Sequence, residues 1–259
     1  MGERLLGEVA IVTGSTSGLG REIARLFASE GCMVTVTGRH ADRGRATVEA
    51  IQSAGGHAAF VPADLTNEEQ CQSLVTDAAS RWGNVTVLVN NAVASSPGHG
   101  DGKVTEVSPA SFEEVLRVNL VSAATMCSLV ILQMLEAGHG SIVNISSRAA
   151  ERGTPGLAAY TASKGGLNAL ALSITADYAS RGVRCNTVQP GYILHERRDA
   201  ALTADQRSVR QAMQLTRLAT ATDVAYAALF LASRESEVIS GITLPVDGGS
   251  TAVRGRTLG

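Results

Sequence analysis

The sequence has only four cysteines in 259 residues, and Cys32, Cys71, Cys127 and Cys185 lie too far apart for a Cys-x-x-Cys pair or a zinc-ribbon spacing. A chain of this length buries enough core without covalent staples, so they read as reduced core thiols. The five histidines fall without ligand spacing, which excludes a metal site from the expected functions. Basic blocks are lacking too: 22 Lys and Arg face 24 Asp and Glu, for a net charge of −2, and nothing resembles a binder of nucleic-acid backbones. The longest apolar stretch, Leu120 to Leu135, is interrupted by Ser122, Thr125, Ser128 and Gln133, so a buried helix is expected and no membrane partner. The opening MGERLLGEVAIVTG lacks the charge, apolar core and cleavage pattern of a secretory leader, and the cytoplasm is the expected compartment. Repeats and low-complexity linkers are missing. With 44% hydrophobic and 18% charged residues, residues 1–259 are expected to form one domain around one core.

What is present is a rhythm. Short apolar runs at Glu8–Thr13, Met33–Thr37, His57–Val61, Val85–Asn90, Ser141–Ser146, Val183–Val188 and Ile242–Val246 alternate with segments of helical period. The helical segments are Gly18–Ser29, Asp42–Ala54, Glu68–Arg81, Phe112–Glu136, Ala158–Ser180 and Asp223–Ala232, and Gly31, Gly55, Gly83, Gly138 and Gly182 sit at or just past helix ends. Alternation of this kind predicts an α/β fold, a doubly wound seven-stranded parallel sheet with helices on both faces. Residues 93–108 and 191–215 break the rhythm after strands. Ligands bind beyond the carboxyl ends of parallel strands, so these are the expected substrate loops.

After the first strand comes Thr13-Gly14-Ser15-Thr16-Ser17-Gly18-Leu19-Gly20, opening directly into a helix. Glycines there let the backbone turn tightly and approach a diphosphate, which the helix amino terminus favours electrostatically. Tyr160 and Lys164, four residues apart on a predicted helix, share one face, about 5–6 Å apart at Cβ. A phenol of pKa about 10 needs roughly 4 kcal/mol of differential stabilisation to titrate three units lower. A cation about 4 Å away at an effective dielectric near 20 supplies that order of energy. Ser147, thirteen residues before the tyrosine at a strand end, places a hydroxyl where it reaches a bound carbonyl; neighbouring Ser146 points to the opposite face.

The spacing Thr-Gly-x-x-x-Gly-x-Gly, followed by Ser147 and Tyr160-x-x-x-Lys164, resembles the short-chain dehydrogenase/reductase family, single-domain Rossmann enzymes that use NAD or NADP. The resemblance covers residues from about 9 to 249. It implies that Tyr160 is the general acid/base, that Ser147 orients the substrate oxygen, that Lys164 lowers the tyrosine pKa and holds ribose, and that Asn119 positions a relay water. It further implies cofactor contacts at Gly14, Ser15, Ser17, Gly18, Leu19, Gly20, Arg39, Asp64, Leu65, Asn91, Ala92, Tyr160, Lys164, Pro190, Gly191 and Ile193. Val93 departs from the family's usual glycine, and His195 from a common threonine.

The implied activity is hydride transfer between a nicotinamide and a carbonyl or secondary alcohol. Rival readings of the same motifs are a nucleotide-binding regulator that has lost catalysis and a non-redox dehydratase or epimerase. Gly38 and Arg39 close the second strand with no carboxylate, and a guanidinium suits a 2′-phosphate, so NADP is expected in preference to NAD. The helices Val115–Glu136 and Ala158–Ser180 are apolar over more than one face, which together with the resemblance predicts a homotetramer or homodimer.

Overall fold

The structure, a computed structural model, describes residues 2–94, 101–194 and 199–253; His99, His195, Arg197 and Arg198 lie outside them. Seven strands, β1 (Val9–Val12), β2 (Met33–Gly38), β3 (His57–Pro62), β4 (Val87–Asn90), β5 (Gly140–Ile145), β6 (Val183–Pro190) and β7 (Thr243–Val246), form one sheet in the order β3-β2-β1-β4-β5-β6-β7. Every neighbouring pair is parallel. The helices among the described residues are α1 (Gly18–Ser29), α2 (Ala41–Ser53), α3 (Glu68–Trp82), α4 (Pro109–Leu116), α5 (Ser122–Ala137), α6 (Ala158–Tyr178), α7 (Ala204–Gln211) and α8 (Ala221–Ala232).

The central strands are apolar at consecutive positions because both faces of the sheet are covered. Ala10 and Val12 of β1 pack with Ile23 and Phe27 of α1 and with Val224 and Leu229 of α8. Val9 and Ile11 point the other way, among Leu74 of α3, Met126 and Val130 of α5, and Ile174 of α6. Burying a side chain of this size is worth about 2 kcal/mol, so each strand is fixed in register from both sides. Left-handed Gly138 (φ 77°) and Gly182 (φ 83°) end the helical segments before β5 and β6, a conformation that a side chain disfavours. The switch point of the topology lies between β1 and β4, the carboxyl ends of which open into one crevice.

The predicted helix Phe112–Glu136 forms as part of one helix over Pro109–Ala137, with a feature the periodicity does not show: α4 and α5 are joined by a π-helical turn over Arg117–Val121, which carries the buried Asn119. Such turns widen a helix by one residue and recur at functional sites, and periodicity does not reveal them. The stretch Pro109–Ala137 is long and apolar enough to cross a bilayer, with a window of mean hydropathy 1.9. In the fold, Met126, Cys127, Val130 and Met134 spend that apolarity against the sheet. The four thiols are free and buried, and burial pushes Cys127 up to about 12.

Candidate active site

The glycine loop is fastened to the end of β4 by backbone-directed bonds. The Thr13 hydroxyl donates to the Val89 carbonyl at 3.1 Å and accepts the amides of Asn91 at 2.8 Å and Ala92 at 3.0 Å. Asn91 returns its side-chain amide to the carbonyls of Thr13 at 2.8 Å and Gly14 at 3.3 Å. Ser15 is turned into the sheet: its hydroxyl donates to the Val12 carbonyl at 2.6 Å and accepts the Thr37 amide at 3.0 Å, and its own amide donates to the Thr37 carbonyl. A Cβ on Gly14 (φ +63°) would sit 2.9 Å from the Ala92 Cα. One on Gly20 would fall on the Asn91 side-chain nitrogen and 2.5 Å from the Gly14 carbonyl oxygen, so the loop's own closure demands glycine there before any ligand does. Gly18 is left-handed at φ +54°, and Leu19 packs against the core.

Ser17 is exposed and makes no side-chain bond to the first turn of α1. By contrast α3, α4, α7 and α8 are capped by Asn67, Ser108, Thr203 and Thr220. Four amides at a helix start lack intrahelical partners, and the first turn of α1, without a side-chain cap, suits a diphosphate. A dinucleotide therefore fits this cradle. Beside it, Asp64 accepts the amide of Thr66 at 3.0 Å and its hydroxyl at 2.8 Å. These bonds, with the charge of Arg39 adding to them, hold its carboxyl below the usual range. Arg39 is exposed at the end of β2, and Leu65 packs against the second core layer. Across the crevice, Pro190 ends β6, the Gly191 amide donates to the Val246 carbonyl, and Ile193 bridges to Ala219.

The strand-5 exit and α6 bring the reactive groups together. Ser147 follows β5 as the first residue of a tight turn, its hydroxyl accepting the Ala149 amide at 3.2 Å and lying close enough to the Tyr160 phenol to act on its pKa. Ser146, facing away, donates to the Lys164 carbonyl at 3.0 Å. Lys164 is buried, its ammonium donating to the Ile145 carbonyl at 2.7 Å and lying 5.7 Å from the centre of the Tyr160 ring. Burial lowers its pKa to about 8. The expected depression of the tyrosine does not hold in this state. Burial pushes the Tyr160 phenol up, and the nearby Ser147 hydroxyl only partly opposes it. The ammonium is directed at a carbonyl, and desolvation of the phenolate outweighs its attraction.

Sequence reasoning missed the braces around these groups. Thr13 is half of the clamp on the glycine loop, signalled only by its place before Gly14. Asn119 accepts the Ala94 amide at 2.8 Å and donates at 3.1 Å to the Ser163 hydroxyl, which donates on to the Tyr160 carbonyl at 2.7 Å. Buried Gln189 donates to the Ser147 carbonyl at 3.1 Å. Nothing local in the sequence marks Ser163 or Gln189 for these tasks.

A nucleotide cradle at the switch point, together with a phenol set beside a serine and a buried amine, defines an oxidoreductase that works on alcohols and carbonyls with a nicotinamide. Residues 14–251 match the family model described as enoyl-(acyl carrier protein) reductase. The chain is 37% identical to the cis-4-hydroxycyclohexanecarboxylate dehydrogenase of Sinomonas cyclohexanicum, over 98% of this chain and 100% of that one. It is 34% identical to the 7alpha-hydroxysteroid dehydrogenase of Escherichia coli K12, over 95% of each chain. A solved 7alpha-hydroxysteroid dehydrogenase, in complex with NADH and 7-oxo glycochenodeoxycholic acid, superposes with a TM-score of 0.88 at 34% identity, over 95% of each chain. The chain belongs to the short-chain dehydrogenase/reductase family.

Proposed function

We propose that the protein interconverts a secondary alcohol and a ketone, with Tyr160 moving the proton. The observation that carries this reading is the half-buried Tyr160 phenol set beside Ser147, with the buried Lys164 ammonium 5.7 Å from the centre of its ring. A bound nicotinamide supplies or accepts the hydride. Tyr160, its pKa raised by burial, stays protonated at neutral pH, the state that donates to a developing alkoxide during carbonyl reduction. Ser147 holds the substrate oxygen beside that phenol. Lys164, with a pKa of about 8, exchanges protons in the working pH range and resupplies the tyrosine, and Asn119 keeps a relay water beside it while bracing the Tyr160 turn through Ser163. Gly14, Ser17, Gly18, Leu19 and Gly20 line the diphosphate, and Asp64, Leu65, Asn91 and Ala92 the adenosine. Pro190, Gly191 and Ile193 flank the nicotinamide, and Lys164 also holds its ribose.

Cyclic secondary alcohols, cis-4-hydroxycyclohexanecarboxylate and 7alpha-hydroxysteroids among them, are the first substrates to try, since relatives bear those names. With such a panel, Tyr160→Phe is expected to lower turnover by roughly 10²–10⁴-fold with nucleotide binding retained. Wild-type turnover in that variant removes Tyr160 from the mechanism.

For the cofactor we infer NADP over NAD. Gly38 offers no carboxylate to a ribose 2′-hydroxyl, and a Cβ there would stand 2.9 Å from the Thr16 methyl, while Arg39 is exposed and free to meet a 2′-phosphate. Arg39→Ala is expected to weaken NADPH roughly tenfold and NADH little, measured as dissociation constants by fluorescence; equal losses for both nucleotides refute the preference. Large apolar side chains left exposed on the π turn, α5 and α6, namely Val121, Leu132 and Leu172, support a homodimer or homotetramer. We place this assembly, one domain per chain, in the cytoplasm, consistent with four unpaired buried thiols.

A further inference from the structure

Helix α6 carries both Tyr160 and Lys164, yet its own sequence cannot close its amino terminus. The residue before it is Leu157, which has no side-chain acceptor and makes no cap bond. The orphan amides go to a carboxylate far back in the chain. Asp101 accepts the Ala159 amide on Oδ1 at 3.0 Å and the Tyr160 amide on Oδ2 at 2.8 Å. Oδ1 also takes the Gly102 amide at 2.9 Å, and the Gly102 carbonyl accepts the Ala158 amide at 3.1 Å, so the first three amides of α6 are all held by Asp101 and Gly102.

We propose that Asp101 is a positioning residue for Tyr160, an inference that rests on the reading of Tyr160 as proton donor and acceptor. Tyr160 is the third residue of α6, in the turn most prone to fray, and its phenol is placed beside Ser147 only if that turn is formed. Its amide is held from outside the helix by Asp101, and its carbonyl takes the hydroxyl of Ser163, one turn on in the same helix. A carboxylate at a helix start makes charge-assisted bonds and complements the helix dipole, which a neutral cap does less well. Lys164 lies one turn deeper and has ties of its own, its ammonium to Ile145 and its carbonyl to Ser146. Loss of Asp101 therefore loosens the phenol and leaves the lysine and the glycine loop in place. The same contacts tie Asp101 and Gly102 to the amino end of the helix that carries Tyr160.

The test compares full-length Asp101→Ala, Asp101→Asn, Tyr160→Phe and Thr220→Ala, using the best alcohol from the panel. Thr220→Ala removes the cap of α8 and serves as a control for lost helix capping away from α6. Asp101→Ala is expected to lower kcat roughly tenfold or more with the NADPH dissociation constant within about twofold of wild type. Asp101→Asn, which keeps one accepting oxygen, falls between the two, and Thr220→Ala lowers the melting temperature with kcat unchanged. Amide exchange at Tyr160, read by mass spectrometry on a short peptide, rises in Asp101→Ala independently of any substrate. If Asp101→Ala fails to fold, the intermediate kcat and faster Tyr160 exchange of Asp101→Asn carry the test. The proposal is overturned if both Asp101 variants keep wild-type kcat while Tyr160→Phe abolishes turnover, or if Thr220→Ala loses kcat in proportion to its melting temperature as they do. Undiminished turnover by Tyr160→Phe overturns the underlying reading instead.

Discussion

The two sides of the crevice are held together differently. On the nucleotide side, the loop from Thr13 to Gly20 is closed by bonds within one small knot: Thr13 to Val89, Asn91 and Ala92, Asn91 back to Thr13 and Gly14, and Ser15 to Val12 and Thr37. On the side proposed for the substrate, the described parts of the segment from Gly191 to Ala219 are tied by long-range backbone bonds to β7 and its exit, such as Gly191 to Val246 and Leu215 to Gly248, and by bonds between its own side chains. Buried Gln214 donates to the Tyr192 carbonyl at 2.7 Å and accepts the Ala219 amide at 3.0 Å, while the Tyr192 hydroxyl donates to Asp199 at 2.6 Å and accepts from Arg210 at 2.7 Å. The ligand on the first side is the same for many chemistries and calls for one rigid cradle; the second side must differ for each substrate. Backbone-directed bonding within a few residues makes the first intolerant of change, and ties made through the segment's own side chains let the second vary without disturbing the sheet.

The largest expected effect breaks the knot. Gly20→Ala puts a methyl group on the Asn91 side-chain nitrogen and against the Gly14 carbonyl, atoms that are already bonded to each other. Neither can retreat without opening the clamp on Thr13. A loss on the order of 3 kcal/mol in unfolding free energy is expected, with no measurable binding of NADPH. Denaturant melts and fluorescence titration check both parts. A variant that binds nucleotide normally would mean the loop is looser than its bonding implies.

The same contrast explains what could be read before the fold was known. All seven strands and the start of α1 were legible, because burial on both faces of a parallel sheet writes itself as apolar runs and the Gly-rich turn is contiguous. Ser147, Tyr160 and Lys164 were legible as a spaced motif. Three things were not. The π turn at Asn119 costs only one residue of phase, below what periodicity resolves. The upward shift of Tyr160 follows from how much protein surrounds the ring and from where the Lys164 ammonium points, neither of which spacing fixes. Asp101, Ser163, Gln189 and Gln214 act through partners brought near by the fold, and their neighbours in the chain carry no trace of it.

Between the two sides stands Lys164, and its charge sharpens the comparison because it is a stability cost accepted for function. Its pKa is 10.5 in the unfolded chain and about 8 when folded, so the unfolded state binds the proton more tightly. The penalty is present in full below about pH 8 and fades as pH rises towards 10.5. Lys164→Met, keeping length without charge, is therefore expected to be more stable than wild type near pH 7. The gain is on the order of 2 kcal/mol once the lost bond to Ile145 is subtracted, and shrinks towards zero or below near pH 10. Urea melts of both proteins at several pH values measure it, and a pH-independent difference would refute the buried-ammonium account. Turnover should fall steeply in the same variant.

The smallest effect is expected at Gln214, and it separates local from global stability. Replacing it with leucine removes the two bonds that join Tyr192 to Ala219, yet the side chain contributes nothing to the two apolar layers that hold the sheet. Each bond is worth about 1 kcal/mol, and its loss is felt only where the segment opens, so the melting midpoint should shift by under about 2 °C. Hydrogen exchange of residues 191–219 should quicken roughly tenfold while β1, β4 and the glycine loop exchange as before. The Michaelis constant for the alcohol should rise and that for NADPH stay fixed, because only the substrate side has been loosened. Were exchange to quicken at Thr13–Gly20 as well, the two sides would be one cooperative unit, and the division of labour drawn between a fixed cradle and a variable flank would fall.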